Sequence, residues 1–100
     1  AVSGLERVHA AQEIFAERNE GRYANALLEL VAADLVDSEL SAVTLTGYRF
    51  LISASDNNSD YTLEAIPIMN KDTKKYFLTD VSGVIRWERG SNATSESPEL

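Results

Sequence analysis

The chain has 100 residues, of which 44% are hydrophobic, and its formal net charge at pH 7 is −7. This length predicts one domain with a small core, and the negative charge argues against binding to nucleic acid or to anionic membrane surfaces. The sequence contains no cysteine, so disulfide bonds and thiol chemistry are excluded. No run of about 20 apolar residues, the length that spans a bilayer, is present in it.

The first predicted element is an amphipathic helix over residues 1–20. At helical spacing, one side collects mostly apolar residues and the other collects an acidic ridge that contains Glu13 and Glu17. We expect the apolar side to form the core face of the helix, with these residues: Leu5, Val8, Gln12 and Phe15. The helix is predicted to stop at Glu20-Gly21, because glycine adopts the left-handed conformation after a last helical turn without a Cβ clash.

Two apolar residues, Val2 and Ile14, lie on or beside the acidic side of this helix. Single exposed apolar residues are common in soluble proteins. The alternative is that a second body, such as a neighbouring helix, covers them. The apolar pattern is already running at Val2, and Ser3 is the only residue of the capping type near the start. The pattern therefore predicts the later part of a longer helix.

A short helical segment is predicted over residues 25–40. Asn25 is a good N-cap residue, and Glu29 near the first turn suits the helix dipole. Asp34 stands where a glycine would more often end such a helix.

The spacing of apolar residues changes from helical to alternating at Thr44, and residues 44–88 are predicted to form four strands. The fourth is predicted to run from Val84 to Trp87. The links between strands are short, which favours an antiparallel meander. The tight turn before the fourth strand contains these residues: Asp80, Ser82 and Gly83.

The predicted fold class is α+β, with a long N-terminal helix packed on a four-stranded antiparallel meander sheet and a short second helix. Residues 1–89 form the predicted domain. Residues 90–100 show no periodicity and are predicted to be a loose tail.

Residues that could carry chemistry are few. His9 is the only histidine, and it has no fixed partner in sequence, so a solvated surface role is expected. Residues 56–60 open like a calcium-binding EF-hand loop, but Tyr61 occupies the required glycine position and Pro67 the position of the bidentate glutamate. A polar hairpin turn explains them without calcium. We therefore predict no enzyme activity, no metal site and no cofactor.

The ordered set of motifs resembles the globular part of type IV pilin-like proteins, a family that includes the pseudopilins of type II secretion. The resemblance extends over most of the chain. It is carried by residues 10–13 and 21–23, by the leucine-rich run at 27–37, by 47–50, by the Phe-Leu-Thr-Asp-Val-Ser-Gly-Val-Ile-Arg segment at 77–86, and by 93–100.

The resemblance implies a structural subunit that works by polymerisation. Family members carry an apolar helix upstream, which anchors the subunit in the bacterial inner membrane before assembly and later packs in the core of a pseudopilus or an extracellular pilus. The implied partners are other copies, other pilin-like subunits, the inner membrane through that helix, and the assembly machinery. The implied filament-packing residues on the outer side of the first helix are Val2, Ala10 and Ile14.

The chain also departs from the family. Many type IV pilins close a C-terminal loop with a disulfide bond, which this chain cannot form. No match to the calcium site of major pseudopilins is found. Two other interpretations stay open: a periplasmic or surface binding module that uses the sheet face and loops, and a small enzyme that uses acidic residues.

Overall fold

A computed structural model describes residues 2–41 and 47–100. The elements are helix α1 (Val2–Arg18), helix α2 (Leu27–Ala32), a 3₁₀ turn (Ser38–Ser41), and strands β1 (Tyr48–Ala54), β2 (Tyr61–Pro67), β3 (Lys75–Asp80) and β4 (Arg86–Arg89). The predicted α+β fold, with a four-stranded antiparallel meander in the order β1-β2-β3-β4, is confirmed. No helix in the described part is long and apolar enough to cross a membrane. The predicted start of the sheet at 44–46 lies outside the described residues.

The core lies between α1 and one face of the sheet. Alternation along each strand places the same-face residues in rows, and one such row joins Phe50, Ala65, Phe77 and Trp87. Helix α1 approaches this row closely at Gly4, where an added Cβ would come within 2.5 Å of the Phe50 ring. A glycine is therefore needed at this crossing.

Both α-helices end in a Schellman motif, in which a backbone amide beyond the helix bonds to a carbonyl five residues earlier. In α1 the amide of Gly21 donates to the Ala16 carbonyl at 2.8 Å, and the left-handed residue just after the helix is Glu20, with φ of 60°. In α2 the equivalent left-handed residue is Asp34, with φ of 59°. The stop of helix α1 lies at Glu20-Gly21, as predicted. The first residue with a left-handed backbone conformation, however, is Glu20 and not a glycine.

The start of α2 differs from the prediction. Its N-cap residue is Ala26, without a side-chain cap, and the predicted cap, Asn25, bonds elsewhere. The Asn25 side-chain oxygen accepts the amide of Ala54 at 3.2 Å, while its own amide donates to the carboxylate of Glu29 at 2.8 Å. Asn25 thus links the connection between the helices to the end of β1.

The fourth strand lies two residues later than predicted, at Arg86–Arg89. The turn at 80–83 is followed by two connecting residues before β4 pairs with β3, with Lys75 opposite Arg89. Hydrophobic character alone favoured the earlier start at Val84.

The prediction of a loose tail over 90–100 is wrong. The amide of Trp87 donates to the Pro98 carbonyl at 3.0 Å, and the amide of Leu100 donates to the Ile85 carbonyl at 2.8 Å. Ser97 is only 3% exposed, and its carbonyl accepts the Arg86 guanidinium at 2.9 Å. An edge strand such as β4 has unpaired backbone groups, and the tail provides partners for them.

Candidate functional site

Helix α1 carries most of the residues that the sequence singles out. On its inner side, three predicted core residues are fully buried: Leu5, Val8 and Gln12. The fourth, Phe15, packs against the core but is only partly buried. Ala11 and Ala16 complete the buried side, at 2% and 8% exposure. The helix therefore presents the predicted core face, with a weaker contribution from Phe15.

Gln12 is the polar residue within this buried side, and it bonds to both backbone groups of Ala24. Its Nε2 donates to the Ala24 carbonyl at 2.9 Å, and its Oε1 accepts the Ala24 amide at 2.8 Å. Ala24 is itself 0% exposed. The sequence signalled Gln12 as a lone polar residue among apolar ones, but its partner could not be read from spacing.

The three predicted filament-packing residues of α1 differ in their exposure to solvent. Ala10 is exposed and Ile14 is 40% exposed. Val2, in contrast, is partly buried and packs against the core cluster. The Val2 side chain therefore has contacts within the domain, and the filament packing of Val2, Ala10 and Ile14 stays a prediction.

A groove runs beside Ala10 and Ile14, between α1 and the chain that follows α2. Its volume is about 440 Å³, and it is lined by Arg7, Ala10, Ala11, Ile14, Asp34, Leu35, Val36 and Asp37. The 34–37 side of the groove is the part that sequence reasoning missed. Asp34 ends α2 in a left-handed conformation, and only the tertiary fold shows that residues 34–37 then line the groove opposite α1.

The turn at 80–83 is held together by its own side chains. The Asp80 carboxylate accepts the amide of Ser82 at 2.9 Å and the Ser82 hydroxyl at 2.6 Å. Gly83 has φ of 79°, a left-handed conformation that favours glycine. The predicted turn thus has a structural reason for these three residue types, and the side-chain bonds of Asp80 and Ser82 stay within residues 80–84.

His9 is not the solvated surface residue that the sequence suggested. Its side chain is 23% exposed, and Nε2 lies 3.2 Å from the Val81 carbonyl and 3.6 Å from a carboxylate oxygen of Glu13. A Cβ added at Gly83 would come within 3.2 Å of the imidazole ring. His9 therefore holds the turn at 80–83 against α1, and no described nucleophile is bonded to it.

The polar turn between β1 and β2 has a structural explanation. The Asn57 side-chain oxygen accepts the hydroxyls of Ser55 and Ser59, and the amide nitrogen of the Asn58 side chain donates to the Tyr23 carbonyl at 2.9 Å. Within residues 2–41 and 47–100, no group of three or more His, Cys, Asp or Glu could hold a metal ion.

One titratable group in the core is strongly perturbed. Burial raises the pKa of the Tyr61 phenol, and the neighbouring Tyr23 raises it further. The Tyr61 hydroxyl is buried without a hydrogen-bond partner, and its ring packs against that of Tyr23 at a centroid distance of 4.9 Å. Tyr61 is therefore a neutral packing residue, since its phenol ionises less readily than one in water.

Comparison with known proteins adds no assignment. No protein-family model, curated protein or solved structure matches the chain.

Proposed function

We propose that the chain is the globular part of a structural subunit of a bacterial pilin-like filament, working by polymerisation without catalysis. The motifs at 77–86 and elsewhere in the sequence support this assignment. The fold supports it as well, because a long N-terminal helix lies along one face of an antiparallel meander.

The observation that carries the proposal is the division of α1 into two packing sides. The inner side packs against the sheet, where Leu5 and Val8 are 0% exposed. On the outer side, Ile14 is 40% exposed beside the groove. Full burial of an isoleucine is worth about 1.5–3 kcal/mol, so covering the rest of Ile14 adds on the order of 1 kcal/mol. Repeated at every subunit contact, this contribution would favour a filament.

The filament role is tested by Ile14→Glu in the full-length protein expressed in its native host. Sheared surface filaments are measured by immunoblotting and electron microscopy, and the thermal stability of the 100-residue domain is measured separately. We expect filaments to be lost while the melting temperature of the domain changes little, because the side chain is on the outer face. Leu28→Glu is the matched control, since Leu28 is 69% exposed on α2 and lies outside the groove.

Three results would overturn this reasoning. Normal filaments from the Ile14 variant would remove this side of α1 from assembly, and unfolding of the variant domain would make Ile14 a core residue. A coding sequence that lacks an apolar segment upstream of Ala1 would also contradict the filament role.

The second candidate is a binding module that uses the outer face of the sheet. It is supported by Leu51, which is 46% exposed in the middle of β1. If Leu51→Ser abolishes the biological role while Ile14→Glu leaves it intact, the binding module is favoured.

A further inference from the structure

Positive charge is concentrated at one end of this acidic protein. All three lysines of the sequence lie at 71–75, in the loop between β2 and β3 and at the start of β3. The pairing of Lys75 with Arg89 brings the end of β4 to the same place. We call Lys71, Lys74, Lys75 and Arg89 the basic end. The net charge of −7 thus conceals a local excess of positive charge.

Hydrogen bonds hold the basic end in place. The Arg89 guanidinium donates to the Thr73 carbonyl at 2.8 Å, and the amide of Gly90 donates to the Lys74 carbonyl at 3.0 Å. The Lys75 ammonium lies 4.6 Å from the centre of the Trp87 ring, a cation–π distance. The loop is therefore joined to β4, and its charges are presented together.

The same end also exposes an apolar side chain. Met69 in the loop is 66% exposed, and it precedes Lys71 by two residues. Tyr48, at the start of β1, donates its hydroxyl to the Lys75 carbonyl at 3.0 Å and is partly exposed. Aromatic residues next to lysine and arginine are typical of surfaces that contact the headgroup region of a bilayer.

We propose that the basic end binds the surface of a lipid bilayer that contains anionic headgroups. This proposal does not depend on the filament role, because it rests on the charge distribution of the described domain. Within the loop and β4 themselves, the acidic residues are Asp72 and Glu88. The opposite end of the sheet carries Asp56, Asp60 and Asp80; the seven residues of β1 span roughly 20 Å, about two Debye lengths at 0.1 M salt.

The test is flotation of the 100-residue protein with phosphatidylcholine vesicles that do or do not contain phosphatidylglycerol. We expect binding only to the vesicles with phosphatidylglycerol, and weaker binding as salt is added. Each lysine near such a surface contributes about fivefold in affinity. The double variant Lys71→Ala/Lys74→Ala should therefore bind roughly 25-fold more weakly, and Met69→Ser should weaken binding without changing its salt dependence.

The matched control is Arg18→Ala/Arg22→Ala, which removes the same charge from exposed residues near the C-terminal end of α1. It should bind almost as well as the wild type. Equal loss in both double variants would show a general charge effect and overturn the proposal, as would no flotation with either kind of vesicle. Self-association of the protein alone that is lost in the lysine variant, without vesicle binding, would assign the basic end to contacts between copies.

Discussion

Replacement of Gln12 by leucine removes both hydrogen bonds that this side chain makes to Ala24. Leucine has a similar size, so the change leaves little empty space and isolates the polar contribution. The Ala24 amide and carbonyl would stay buried without partners, since Ala24 is 0% exposed.

The expected destabilisation follows from the number of groups left without partners. A buried donor or acceptor that loses its partner costs about 1–3 kcal/mol. Two such groups give about 2–6 kcal/mol, and the extra apolar surface of leucine offsets about 1 kcal/mol of this loss. A remaining cost of about 1–5 kcal/mol would lower the melting temperature of a 100-residue domain by at least 4 °C, since about 4–8 °C corresponds to 1 kcal/mol.

The assay is urea unfolding monitored by circular dichroism, together with hydrogen exchange at the Ala24 amide. We expect a lower free energy of unfolding and faster exchange at that amide. Glu17→Leu is the control on the same helix, since Glu17 is exposed, and it should change stability by less than about 0.5 kcal/mol. A Gln12→Leu variant as stable as the wild type, with the Ala24 amide still protected, would refute the reasoning.

Two further predictions concern backbone strain and an isolated hydroxyl. Glu20→Gly should raise the free energy of unfolding by about 1 kcal/mol in urea titrations, because Glu20 has φ of 60° and glycine avoids the left-handed penalty; Asn19→Gly, which removes a side-chain bond to the Phe15 carbonyl, should lower it. Tyr61→Phe should leave the melting temperature at pH 7 unchanged or higher, because the lost hydroxyl has no partner. Since burial raises the Tyr61 pKa in the folded state, wild-type stability is retained below pH 10 and falls as the pH rises above it, and this fall should be smaller in the variant. An Asn19→Gly variant that is more stable than the wild type would contradict the strain explanation. If Tyr61→Phe loses as much stability above pH 10 as the wild type does, the explanation from the Tyr61 pKa is contradicted.

The elements that could be predicted from the sequence are those with regular spacing. The 3.6-residue period placed Leu5, Val8 and Gln12 on the buried side of α1, and the two-residue period indicated the four strands of the sheet. Both periods follow from backbone geometry and need no knowledge of partners.

The features that could not be predicted depend on contacts between distant segments. Asn25 has the chemistry of an N-cap, but it bonds to Ala54 across the fold. The sequence of the tail shows no regular spacing of apolar residues, because only its last few residues pair with β4. The residues before them form a turn in which the amide of Thr94 donates to the Ser97 hydroxyl. The basic end also depends on the fold, because only the pairing of β3 with β4 brings Arg89 beside Lys75.

The short segment at 23–25 gives the domain a mechanical path between helix and sheet. On one side it is bonded to Gln12 in the middle of α1; on the other, the Tyr23 amide donates to the Asn58 carbonyl at 2.8 Å and Asn25 accepts from Ala54. A pull along α1 is therefore transmitted sideways into the β1–β2 hairpin near the midpoint of the helix.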